Sequence, residues 1–163
     1  MNASDPSPGA QLSALLSRFS PESVALAQKC LLKLGRILPG SVHIVYNYNH
    51  SVVVSFGLSE KGYEGLGALS IYPQEVRLYF QGGKDLPDPK GLLQGSAGVR
   101  FVPLQAVSDL DQPDVRALFQ AAIEHSGLEF PRSGATRMII KPDSKKSKPR
   151  KKAKKAKKAR SRR

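Results

Sequence analysis

The chain has 163 residues, 26 Lys and Arg against 13 Asp and Glu, a formal net charge of +13, one Cys and no Trp. This length suits one domain of ordinary size, and 40% apolar residues are enough to build a core, so two catalytic domains are excluded. A lone Cys excludes an internal disulfide framework or a Cys-based zinc ribbon, and it fits a reducing compartment.

Residues 1–9 are polar with two prolines and read as a disordered terminus, placing the start of the folded domain at residue 10. No basic n-region followed by an apolar h-region is present there, and no apolar run approaches the ~18 residues of a membrane span. A cytoplasmic location follows as the expectation. Leu12, Leu15, Leu16 and Phe19 then mark a short amphipathic turn or helix. Ser20-Pro21-Glu22 is a helix start, with a Ser N-cap, Pro at the first helical position and an acid in the first turn. Val24, Ala27, Leu31, Leu34 and Leu38 recur at the spacing of one helical face, and Pro39-Gly40 ends the helix.

From here the period changes to that of strands. Val42, Ile44 and Tyr46 alternate with polar neighbours as in a half-buried strand. Residues 47–50 form a turn, and Val52 to Phe56 is a second strand. Strands are expected near Leu66–Tyr72 and at Val76–Phe80, joined tightly at Pro73-Gln74. The segment from Gly82 to Gly91 is too rich in Gly and Pro for regular structure. A strand from Val99 to Leu104 precedes a helix capped at Asp111 and running from about Gln112 to His125. Met138-Ile139-Ile140 adds an edge strand or a docking hook. These elements predict an α+β domain over residues 10–140, with a mostly antiparallel sheet of about five strands covered on one face by helices. An exposed edge strand would offer a route to a homodimer.

The last 23 residues, 141–163, are different material. They carry 14 Lys and Arg and one acid, Asp143, which leaves 12 basic and 12 acidic residues in the body. The whole of the +13 therefore belongs to a segment with no Leu, Ile, Val, Phe or Tyr. Such a segment buries too little apolar surface to offset chain entropy, so it is expected to be a disordered tail. Its cations are Lys141, Lys145, Lys146, Lys148, Arg150, Lys151, Lys152, Lys154, Lys155, Lys157, Lys158, Arg160, Arg162 and Arg163. They suit neutralisation of DNA or RNA phosphates with release of counterions. Lys dominates and no aromatic is interleaved, so base-specific readout is not expected.

The strand ending in Phe56, the pair LSIYP and VRLYFQGG, the loop LPDPKGLLQG leading to Arg100 and the following DLDQPDVRALFQAA together resemble the YdhG-like family of small bacterial domains of unknown function. The likeness covers roughly residues 39–126, with Gly82 to Gly95 its most specific part. The resemblance implies an α+β binding module with no assigned activity. One family member is described as a frataxin-like iron chaperone. An iron-delivery role would need oxygen ligands on an accessible face, for which Asp85, Asp88, Asp109, Asp111 and Asp114 are the candidates. The first long helix, by contrast, has Glu22 as its one acid and carries Lys29, Lys33 and Arg36.

The remaining chemistry-bearing residues have local explanations. Asp109, Asp111 and Asp114 suit a helix N-terminus without a metal. His43 and His50 would meet across their turn if the first two strands pair, yet a surface histidine is the simpler reading. Cys30 is read as a buried inert thiol, and Gly-x-Ser-x-Gly is absent. Lys84, Lys90 and Arg100 could line an anion-accepting rim around the glycine-rich loop, which lacks a phosphate-loop signature. Tyr46, Tyr48, Tyr72, Tyr79 and Phe80 are read as cross-strand packing in preference to base stacking. The expected function is thus that of a non-enzymatic binding module without a cofactor, tethered to nucleic acid by its tail. Iron delivery is the alternative.

Overall fold

Strong local signals at the start of the second helix set the frame. Ser20 accepts a hydrogen bond on Oγ from the Ser23 amide at 3.2 Å, Pro21 fills a position whose N–H has no helical partner, and Glu22 faces the positive end of the dipole. In this computed structural model, which describes residues 6–61, 64–95 and 100–141, that helix is α2, Pro21–Ile37. It is preceded by α1, Pro8–Leu16, whose N-cap Ser7 accepts from the Ala10 amide at 3.1 Å. Pro8 and Gly9 therefore belong to a helix. The expected disordered terminus over residues 1–9 is too long at its end, because Ser7-Pro8 is itself a cap and first-turn pair. Residues 1–5 lie outside the described residues.

The strands are β1 (Val42–Asn47), β2 (Val52–Gly57), β3 (Gly67–Tyr72), β4 (Glu75–Phe80), β5 (Arg100–Leu104) and β6 (Arg137–Ile140). They form one sheet in the order β5-β4-β3-β2-β1-β6. The first five make an antiparallel meander, in which residues 81–99 separate β4 from β5, and β6 returns parallel to β1. The fold is α+β, as the sequence predicts, with six strands in place of about five. Met138-Ile139-Ile140 is the added edge strand. A third helix, α3 (Pro113–Ser126), follows the 3-10 helix Val107–Asp111 and ends on Gly127, whose φ of +75 supplies the left-handed cap.

Antiparallel registry sorts the strand residues into two faces. Val45, Val54, Leu69 and Leu78 are successive partners across β1 to β4, and with Val52, Phe56, Ile71, Val76, Phe80, Val102 and Leu104 they meet the helices. Phe119 of α3 packs between Phe56 and Phe80, with ring centroids 6.4 and 5.2 Å away. Gly67 pairs with both Phe56 and Phe80. A Cβ there would collide with the Tyr79 carbonyl oxygen and come within 3.3 Å of the Phe56 ring, so glycine is what lets the ring lie down on the strand.

The alternation read in β1 assigned Val42 and Ile44 to the core. Registry puts His43 there, opposite Phe56, while Val42 and Ile44 lie on the other face. Both faces of β1 are nevertheless buried, with His43 and Ile44 each 1% exposed. A strand flanked by β2 and β6 and buried on both sides has no polar face to reveal its phase. His43 is therefore not the surface histidine expected, and it does not meet His50, which is exposed in the turn.

Cys30 is 0% exposed on the core side of α2. Burial, and secondarily the Asp109 carboxylate, push its thiol up to about 12 from 9.0. The thiolate fraction at neutral pH should be roughly 10³-fold below that of a free cysteine. Maleimide labelling of the native protein is accordingly expected to be slow and to accelerate in denaturant. Rapid stoichiometric labelling under native conditions would show that the thiol is accessible.

A candidate binding surface on the open sheet face

The sheet face turned away from the helices is built by the residues between the core positions. Across it run two rows of direct partners: Ser55, Ala68, Tyr79 and Phe101, and Val53, Ser70, Arg77 and Pro103. The two-residue turn at Pro73-Gln74 pairs Tyr72 with Glu75 at the end of the same face. Small side chains occupy its middle. They leave a shallow trough of about 340 Å³ floored by Ser55, Ala68 and Ser70 and walled by Val53, Tyr72 and Tyr79.

Beside the trough the aromatic residues converge on one cation. The Arg77 guanidinium lies 4.3 Å from the Phe101 ring centroid and 5.0 Å from that of Tyr72, so it is stacked between the two. Its Nε donates to Glu75 Oε2 at 2.6 Å, and a terminal nitrogen donates to the Tyr79 hydroxyl at 3.2 Å. These partners, Glu75 first, raise the already high basicity of the guanidinium and hold it charged. Tyr79 and Phe101 are 5.1 Å apart at 44°. Burial, then a hydrogen bond with Tyr79, moves the Tyr72 phenol above its ordinary value. The face thus presents rings and one neutralised cation, with no net charge to capture a polyanion by itself.

The cross-strand packing expected of the aromatic residues is found at Tyr79 and Phe101, direct partners on β4 and β5. Phe80 is a core residue, whereas Tyr72 and Tyr79 lie on the open face, half-exposed. The strand pattern around the turn, Tyr72, Glu75, Arg77, Tyr79, carries the signal for that face. Phe101 is beyond reach of such reading, because the 19 residues between β4 and β5 do not specify the register of β5.

Of the candidate anion rim, Lys90 and Arg100 have described surroundings. Lys90 Nζ is 3.7 Å from Asp114 Oδ2, and Arg100 pairs with Phe80 on the helix side of the sheet. Lys84 contributes backbone to the 3-10 helix Gly83–Asp85, and its side chain lies outside the described residues.

The candidate metal ligands are dispersed among structural tasks. Asp88 accepts from the amides of Leu92 and Leu93 at 2.8 and 2.9 Å, closing the loop before β5. Asp109 accepts from the amides of Gln105 and Ala106 at 2.8 and 3.1 Å. Asp111 does not cap α3, since Gln112 occupies the cap position. Its carboxylate instead bridges Lys33 of α2, at 2.6 Å, and Arg116 of α3, at 3.1 Å, and both hold it below the usual carboxylate range. The intervening 3-10 helix displaced the α-helical start by two residues from the aspartate. Asp85 is exposed. Among the described residues no group of three or more His, Cys, Asp or Glu side chains could hold a metal ion.

A second concavity, about 710 Å³, lies between α1, α2 and β6. Leu12, Leu31, Thr136 and Met138 line it, with Leu32, 67% exposed, at its rim and His43 at its floor. Ser41 Oγ and His43 Nε2 are 3.2 Å apart, and desolvation lowers the imidazole to about 4 from 6.5.

The tail cations from Lys145 to Arg163 lie outside the described residues, as does the order or disorder expected of them. The sheet has two edge strands, β5 and β6. On β5, Gln94 already exchanges two backbone hydrogen bonds with Phe101, and Pro103 has no N–H. No helix among the described residues is long and apolar enough to cross a membrane. Comparison with protein-family models, with curated proteins and with solved structures finds no match to this chain.

Proposed function

We propose that the protein is a YdhG-like, non-enzymatic binding module that residues 141–163 attach nonspecifically to DNA or RNA, in the bacterial cytoplasm and on the nucleoid. The observation that carries this reading is the segregation of charge. The body has 12 basic and 12 acidic residues, and the last 23 residues hold 14 cations and one acid. Several acids of the body are further neutralised by local cations, as Asp111 is by Lys33 and Arg116. A polyanion meeting the molecule therefore finds one strongly attractive segment, and its attraction to phosphates is independent of sequence.

The test compares the full chain with one ending at Lys141, whose amide closes the pairing of β6 by donating to the Val45 carbonyl at 2.9 Å. Each is titrated with duplex DNA at two salt concentrations, and separately with ferrous iron. Salt-sensitive DNA binding that persists without the tail would sink the reading. Stoichiometric iron uptake by the shortened chain would replace it with the metallochaperone alternative.

A further inference from the structure

We propose that the open sheet face is a stacking platform for the bases of single-stranded nucleic acid, with Tyr79, Phe101 and the trough over Ala68 receiving base planes. The inference rests on the tail reading above and deepens it, because it names the form of nucleic acid that the body selects once the tail has captured it. Three features of the face support it. First, a trough floored by Ser55, Ala68 and Ser70 and walled by Tyr72 and Tyr79 has the flat floor and aromatic wall that accept a planar ring. Second, the Arg77 guanidinium is already sandwiched between Tyr72 and Phe101. It holds both rings in place, with its own charge balanced by the Glu75 carboxylate. Third, the face has no net charge of its own, so long-range attraction must come from elsewhere in the chain.

The tail supplies that attraction at a suitable distance. It begins at the end of β6, in the same sheet, four strand spacings or about 19 Å from β4. Extended, its 23 residues reach roughly 75–80 Å. A strand held by the tail is therefore brought to the face at high local concentration. A duplex keeps its bases stacked inside and offers the face only phosphates, whereas a single strand offers base planes to exposed rings.

The experiment uses the full chain and two fluorescein-labelled probes, an oligothymidylate of about 20 nucleotides and a duplex of the same length, at one salt concentration. Tyr79→Leu with Phe101→Leu removes the rings while keeping apolar cover, and Ala68→Leu separately fills the trough without removing a ring. Each change is expected to weaken oligothymidylate binding roughly ten- to hundredfold and to leave duplex affinity within about twofold. An unchanged melting temperature reports that the variants are folded, and unchanged duplex affinity that the C-terminal segment still binds. The chain has five Tyr and no Trp, so tyrosine emission reads the contact directly. Saturating oligothymidylate should quench it in the unaltered protein and much less in Ala68→Leu. If oligothymidylate affinity survives both changes, or falls only in step with duplex affinity, the platform is wrong and the tail reading stands. If the unaltered protein binds neither probe, both fall.

Discussion

Raising the salt from 50 to 200 mM is expected to weaken duplex binding by the full chain by about 10³–10⁵-fold. The estimate follows from the number of phosphates the tail can neutralise. If about eight are contacted, log K falls against log salt with a slope near −7, because each contact releases condensed counterions. Removal of residues 142–163 takes away 13 of the 14 cations in the C-terminal segment and leaves a body of nearly balanced charge. That shortened chain should bind duplex too weakly to give a salt slope. Gel shift or anisotropy at three or more salt concentrations measures both quantities. A slope near zero for the full chain would mean that the tail is occupied within the protein and is not the polyanion site.

Acidification from pH 7 to pH 4 should cost the fold roughly 3 kcal/mol through His43 alone. The imidazole is 1% exposed, and its pKa is lowered from 6.5 to about 4 by desolvation. In the unfolded chain the ring takes up its proton near 6.5, while in the folded protein it does so only near 4. Between these values the unfolded state binds more protons, so stability is fully present above pH 6.5, declines as the pH falls and loses nothing further from this group below 4. Denaturant melts across this window measure the effect. The paired change Ser41→Ala with His43→Leu removes the titrating ring together with the hydroxyl that would otherwise be stranded. It should flatten the pH dependence by about that amount, leaving the slope that the carboxylates contribute. An equal pH dependence in the paired variant would show that His43 is solvated in the native state.

Much of this architecture was legible because its signals are local. The cap at Ser20-Pro21, the turn at Pro73-Gln74, the apolar run of β2 and the alternation of β4 each need only a few neighbouring residues to be read. Asp111 was misread because a 3-10 helix and an α-helix both welcome an acid at their junction. What separates the two is Lys33, 78 positions earlier in the chain, reaching the carboxylate from α2. The open face was half legible. Alternation through the β3–β4 hairpin puts Tyr72, Arg77 and Tyr79 on one side, but their role depends on which residue β5 sets beside them.

The sequence alone determined that the protein consists of a neutral body and a cationic segment, since charge is additive and needs no geometry. It also determined the α+β class, because helical and strand periods are written in adjacent residues. Tertiary structure decided the placement of side chains whose environment comes from distant segments. Parallel addition of β6 to β1 encloses His43, and docking of β5 on β4 in one register brings Phe101 against Arg77. Long-range pairing sets these contacts, and a one-residue change of register would send each side chain to the opposite face.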